Sequence, residues 1–177
     1  DSLYSTSGAF CPLVDIVEIS EHYGGMLVVD ESHSLGVMEK TGEGMVSEMG
    51  LEDRVAFRTA SLSKGFAGRG GIIVGSSRHV EYVKYESYPS IFSSGVHEYD
   101  IAGFIAALDV IKNADDLRRK LWDNSNYLRE QLDQMGYDVT ASDSQIMSLV
   151  PGPEAETIRF RDALEERGIF GSPFCAP

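Results

Sequence analysis

The chain has 177 residues, of which 42% are hydrophobic, 24% charged and 10% aromatic. This composition excludes disordered, collagen-like and coiled-coil classes, and the length suits one domain or one and a half at roughly 150 residues per domain. A net charge of −13 repels phosphate backbones and anionic bilayers, so neither nucleic acid nor a membrane is an expected partner.

Apolar runs such as Met26 to Val29 and Ile72 to Val74 fall far short of the roughly 20 residues a membrane span needs. Cys11 and Cys175 are far apart and form no C-x-x-C pair. That argues against a disulfide framework or a zinc site and fits a reducing cytosol, so a cytoplasmic location is expected. The sequence opens without an initiating Met and closes on Ser172-Pro173-Phe174-Cys175-Ala176-Pro177, which ends no element neatly. A fragment of a longer chain is the expectation.

In chain order, residues 12–23 read as a helix. Pro12 suits its first turn, Leu13, Ile16, Val17 and Ile19 supply an apolar stripe, and Gly24-Gly25 stops it. Residues 26–29 read as a strand buried on both faces, with Asp30 at its end. Residues 36–50 form a glycine-spotted loop with a short helical piece. A second strand over 55–60 is followed by Ser61-Leu62-Ser63-Lys64, a flexible turn by 65–71, and a third strand by 71–75. A helix near 79–85 runs into a break at Tyr88-Pro89. Helices follow over 98–113 and 115–135, the first with Ile101, Phe104, Ile105, Leu108 and Ile111 on one face. Strands are expected at 137–140, 145–150 and from Ile169, with a helix over 154–167 between the last two. The strand–helix alternation points to an α/β fold. A composition shift near 113–117 divides residues 1–113 from 114–177.

Ligands of α/β sheets bind at the carboxyl ends of the strands. Asp30 and Lys64 both fall at such ends. A salt bridge is the plainest reading of that pair. The surroundings favour chemistry instead. Asp30-Glu31-Ser32-His33 packs an acid and an imidazole into one turn, and Lys64 is flanked by Ser61, Ser63, Gly65, Gly68, Gly70 and Gly71. Small hydroxylic and glycine residues leave room for an anion beside an amine. A partly desolvated lysine becomes a nucleophile toward an aldehyde. An Asp directed at a pyridine nitrogen keeps that ring protonated, and a His can bond its phenolic oxygen. Those are the parts pyridoxal 5′-phosphate (PLP) requires. Glu31 reads equally as an orienting residue or as an acid facing water. Arg69, the remaining histidines, Trp122 and the tyrosines at 82, 85 and 88 read as packing or surface residues.

The segments Val29-Asp30-Glu31-Ser32-His33-Ser34-Leu35-Gly36, Thr41-Gly42-Glu43-Gly44 and Thr59-Ala60-Ser61-Leu62-Ser63-Lys64 resemble the α-oxoamine synthase family. The opening Tyr4-Ser5-Thr6-Ser7-Gly8 also fits it. So do Tyr88-Pro89-Ser90-Ile91-Phe92-Ser93-Ser94 and Gly168-Ile169-Phe170-Gly171-Ser172. Within the family these details are most similar to the quorum-sensing autoinducer synthases. The resemblance spans the chain in order and implies fold type I of the PLP-dependent transferases (aspartate-aminotransferase-like). Residues 1–113 would belong to a large domain with a mostly parallel sheet, and 114–177 to a small C-terminal α/β domain.

Residue by residue, the resemblance implies that Lys64 binds PLP and then acts as acid and base on the substrate α-carbon. Asp30 would pair with the ring nitrogen and His33 with the phenolic oxygen. Ser61 would reach the phosphate, Ser5 would stand near the ring oxygen, and Ser94 would reach the phosphate in the neighbouring subunit of a homodimer. Three further site elements of the family would lie outside residues 1–177. They are a ring-stacking residue, a phosphate-capping glycine segment and a carboxylate-gripping arginine. A chain about twice this length is therefore expected. The implied reaction joins an acyl-CoA to a small amino donor, such as 2-aminobutyrate or S-adenosylmethionine, giving an α-aminoketone. The competing readings are 8-amino-7-oxononanoate synthase, glycine C-acetyltransferase and a non-catalytic dimerisation piece.

Overall fold

The computed structural model describes residues 1–38 and 42–175; Thr41 of the family-like segment lies outside them. Three strands form one sheet in the order β1 (Val28–Asp30), β2 (Phe57–Ser61), β3 (Gly71–Gly75). β1 and β2 run parallel, with Asp30 opposite Thr59, so two carboxyl-terminal strand ends lie side by side. β3 is antiparallel to β2, so the sheet is mixed rather than mostly parallel. The link between β2 and β3 is shorter than the dozen or so residues that a parallel crossover requires.

Helix α1 (Leu13–His22) begins one residue after Pro12, which sits at its N-cap. α2 (Met45–Glu48) is the short piece expected in the glycine-spotted loop. α3 (Ser77–Glu86) is capped by the Ser76 hydroxyl, which accepts from the His79 amide. The expected break at Tyr88-Pro89 is instead a helical turn, α4 (Tyr88–Ile91). Proline fits a helix start because the first N–H groups have no intrahelical acceptor. α5 (Glu98–Lys112), α6 (Asp115–Gln134) and α7 (Glu154–Glu165) complete the order.

The strands expected at 137–140, 145–150 and 169–170 do not form. Their amides are committed elsewhere. Thr140 N donates to Asp138 Oδ1, Ile146 N to Ser144 Oγ and Ser148 N to Ser142 Oγ. Ile169 N closes the end of α7 on Leu164 O. Local side-chain acceptors compete directly with a ladder, and no neighbouring strand among the described residues offers one.

The core is built where α1, β1 and α2 meet. Leu13 and Val17 of α1 pack with Val29, Met45, Val46 and Leu51, joined by Cys11 and Met38. Beyond it the apolar pattern faces outward. All of β3 is exposed, and α5 buries no residue although its sequence is apolar.

Candidate active site

Alternation along β1 sends Val29 into the core and Asp30 to the other side. The Asp30 carboxylate is held at both oxygens: Ser32 N donates to Oδ1 at 2.9 Å and Thr59 Oγ1 to Oδ2 at 2.9 Å. Burial pushes this carboxyl up, but the hydrogen bonds from Ser32 and Thr59 outweigh it and hold the group below the ordinary aspartate range. The Ser32 hydroxyl also accepts from Ser61 N at 2.8 Å, tying the end of β1 to the end of β2. His33, one turn on, is half-buried. Desolvation and the positive charge of Lys64 push its imidazole down, against an upward pull from Asp30. Lys64 and Asp30 therefore both act on His33, from the ends of adjacent strands.

Lys64 is exposed at the start of the glycine turn, so the desolvation expected for it is not supplied by the surrounding described residues. The turn itself is crowded. A Cβ at Gly68 would lie 2.4 Å from the Phe104 ring, and one at Gly70 2.9 Å from it. Ala67, between Lys64 and that contact, takes the left-handed φ of 52°, a conformation that costs a non-glycine residue about 1–2 kcal/mol.

A cleft of about 710 Å³ opens beside these groups, lined by Ser5, Thr6, His33, Lys64, Met147 and Ser148 among others. Ser5 thus joins Lys64 and His33. Asp30 does not line the cleft; its charge acts on His33, which does. The Ser61 and Ser63 hydroxyls share a hydrogen bond of 2.8 Å, just before Lys64 in the chain. Ser94 is exposed and does not line the cleft. A second cleft of the same volume, with Arg58, Lys112 and Arg118 in its walls, contains neither Lys64 nor His33.

Sequence reasoning missed the parts that hold this arrangement. Thr59 was legible once β1 and β2 were aligned, because parallel pairing sets it opposite Asp30. Gln145 Nε2 donates to the His33 carbonyl at 3.0 Å. Arg129 grips the carbonyls of Ser142 and Ser144, each at 2.7 Å. Both contacts join residues far apart in sequence or in an irregular segment, and no local pattern announces them. Glu31, left open between two readings, is buried. It accepts from Val46 N at 2.9 Å and from Arg58 Nε at 2.6 Å. Among the described residues no His, Cys, Asp and Glu cluster suits a metal ion.

A family model for aminotransferase class I and II matches residues 1–177. The chain belongs to the aminotransferase class I and II family. Among curated members of the α-oxoamine synthase branch, it is 44% identical over 177 residues to the CAI-1 autoinducer synthase of Vibrio campbellii. It is 33% identical to the 8-amino-7-oxononanoate synthase of Petrotoga mobilis over the same length. Each alignment covers 100% of this chain and 45% of the relative, so the chain spans about half the length of the curated relatives it matches. A solved SPT structure with PLP internal aldimine superposes with a TM-score of 0.89 at 27% identity, covering 99% of this chain and 46% of that one. The fold of this aminotransferase-family chain is accordingly part of fold type I.

Proposed function

We propose that this chain is the lysine-bearing half of a PLP-dependent acyltransferase of the α-oxoamine synthase type. The observation that carries the reading is the electrostatic coupling of His33 to both Lys64 and Asp30 past the carboxyl ends of the parallel strands β1 and β2, in a family member 44% identical to an autoinducer synthase. The residues fit PLP chemically. Lys64 offers an amine to an aldehyde. Asp30 offers an ionised carboxylate whose two oxygens retain lone pairs for a ring N–H. His33, pushed toward its neutral form, offers a single hydrogen-bonding partner to a phenolic oxygen.

When bound, PLP supplies an electron sink for negative charge at the substrate α-carbon. Lys64 takes the α-proton onto Nζ and returns it later. Asp30 keeps a proton on the ring nitrogen, and His33 with Ser5 fixes the ring oxygen. Ser61 bonds the phosphate, and Ser94 serves the phosphate of a second subunit in a homodimer. The substrates are an acyl-CoA and a small amino donor, with 2-aminobutyrate or S-adenosylmethionine as the candidates. The α-carbon is acylated with release of free CoA, the carboxylate of the α-amino acid donor leaves as CO2, and the product is an α-aminoketone used as a signal precursor in quorum sensing. Residues 1–113 form part of the cofactor-binding domain and 114–177 part of the small domain of a cytoplasmic enzyme.

The test uses the full-length protein with added PLP. Lys64→Ala should abolish the absorbance band that PLP acquires when its aldehyde joins a lysine amine, and turnover with it. Retention of both would overturn the reading. The relatives at 33% identity favour 8-amino-7-oxononanoate synthase as the second reading. Donor and acyl-chain-length profiling separates it, since the two activities consume different donors.

A further inference from the structure

The β1–β2 register places Thr59 directly beside Asp30. Its hydroxyl meets Oδ2 at 2.9 Å, while the Ser32 amide meets Oδ1 at the same distance. Two donors on two different oxygens fix the rotation of a carboxylate that one donor would leave free to turn. They arrive from two strands, and the Ser32 hydroxyl bonds Ser61 N at 2.8 Å, so the clamp also spans the residues leading to Lys64. Neither Thr59 nor Ser32 lines the cleft that holds Lys64 and His33. Thr59 also lines the separate cleft walled by Arg58 and Arg118; on a molecule beside Lys64 and His33, its effect passes through Asp30.

We propose that Thr59 is a positioning residue, whose hydroxyl locks the Asp30 carboxylate in the orientation from which it meets the cofactor ring nitrogen.

This rests on the functional reading above. The physical basis is that a hydrogen bond to an ionised acceptor is roughly twice as strong as a neutral one, and that it favours the charged form of the acceptor. A carboxylate held in that way presents its remaining lone pairs in fixed directions. Ring nitrogen recognition then requires no reorientation of Asp30 on cofactor binding. Bulk at position 59 does not explain the contact, since valine fills the same space without a donor.

The test compares Thr59→Val, Thr59→Ala and Thr59→Ser in the full-length protein. In the apoprotein, the Asp30 carboxyl is followed by carbon-13 NMR across an acid titration. Valine and alanine should both move its midpoint upward, and serine should leave it at the wild-type position. In the holoprotein, valine should weaken PLP retention by about tenfold, the equivalent of one lost charge-assisted bond, and serine should restore it. Unfolding curves of the apoproteins identify any variant whose fold is impaired; the alanine and valine titrations must then agree in the folded population. An unmoved Asp30 midpoint in both hydroxyl-free variants would overturn the inference. So would wild-type PLP retention by Thr59→Val. Failure of the functional reading looks different. Wild-type protein would then form no lysine-linked PLP band, whatever the Asp30 midpoint does.

Discussion

Asp30 and His33 both have their pKa displaced downward, by different forces, and the signs make one prediction. Asp30 is ionised more readily in the folded chain than its ordinary value of 3.8, so the stability it contributes is present above that value and lost as pH falls through the folded one. His33 is protonated less readily than its ordinary value of 6.5, so the unfolded chain binds the proton more readily. Stability therefore falls as pH drops below 6.5 toward the folded value of His33, and again at the lower pH where Asp30 titrates. Denaturant unfolding of wild type and His33→Gln at pH 7 and pH 5 checks the first step. The wild type should lose more stability between the two than the variant, whose glutamine does not titrate. At Glu31 the argument is one of pairing. Glu31 is 2% exposed and its partner Arg58 is 18% exposed by side chain, with their charged atoms 2.5 Å apart. Arg58→Ala strands a buried carboxylate and should cost about 3–5 kcal/mol. Replacing both residues with apolar ones of similar volume should recover much of that loss. An equal loss in single and double variants would show that the pair is not the source.

At the scale of elements, helix α1 was legible because an apolar stripe at helical spacing needs no long-range information. Leu13 is 2% exposed and Val17 fully buried, and both were expected on its inner face. Leu13→Ala should destabilise the protein by about 2–5 kcal/mol, the range for a large-to-small change in a packed core. Chemical denaturation gives that number directly. The neighbouring ends of β1 and β2 were legible in part: Val28-Val29 is apolar and runs straight into Asp30, whereas β2 carries Arg58 and Thr59 and reaches Lys64 only three residues beyond its end. The segments 137–140 and 145–150 were misread because alternation and β-branching describe what a strand can be, not whether a partner is there. Here Asp138, Ser142 and Ser144 take the amides that a ladder would have used. The apolar face of α5 was legible as a pattern but not as burial. Ile101 is 47% and Ile105 59% exposed, on a chain that spans about half the length of its curated relatives.

Across the whole molecule, the irregular segment after α6 is held against the opening turn by contacts of very long range. Ser142 Oγ donates to Ser7 O at 2.8 Å and Asp143 N to Gly8 O at 3.2 Å. Arg129 braces the same segment from α6. From there residues 146–152 line the same cleft as Ser5, His33 and Lys64. Gly8 is where this segment comes closest to the opening turn. Its φ is 76°, and a Cβ there would stand 2.1 Å from the carbonyl oxygen of Ile146, a backbone atom that cannot rotate away. Gly8→Ala therefore incurs two costs: about 1–2 kcal/mol for a left-handed alanine, and a displacement of the wall itself. The expected outcome is a stability loss of more than about 2 kcal/mol, with amides of residues 142–148 exchanging hydrogen faster than those of α1. Gly24→Ala is the matched control. It shares a positive φ, 66°, but nothing lies within 4 Å of its would-be Cβ, so it should cost the backbone term alone and leave exchange over 142–148 unchanged. If both variants exchange alike in that segment, the wall does not depend on the close approach at Gly8, and its position is set by the hydrogen bonds of Arg129, Ser142, Asp143 and Gln145.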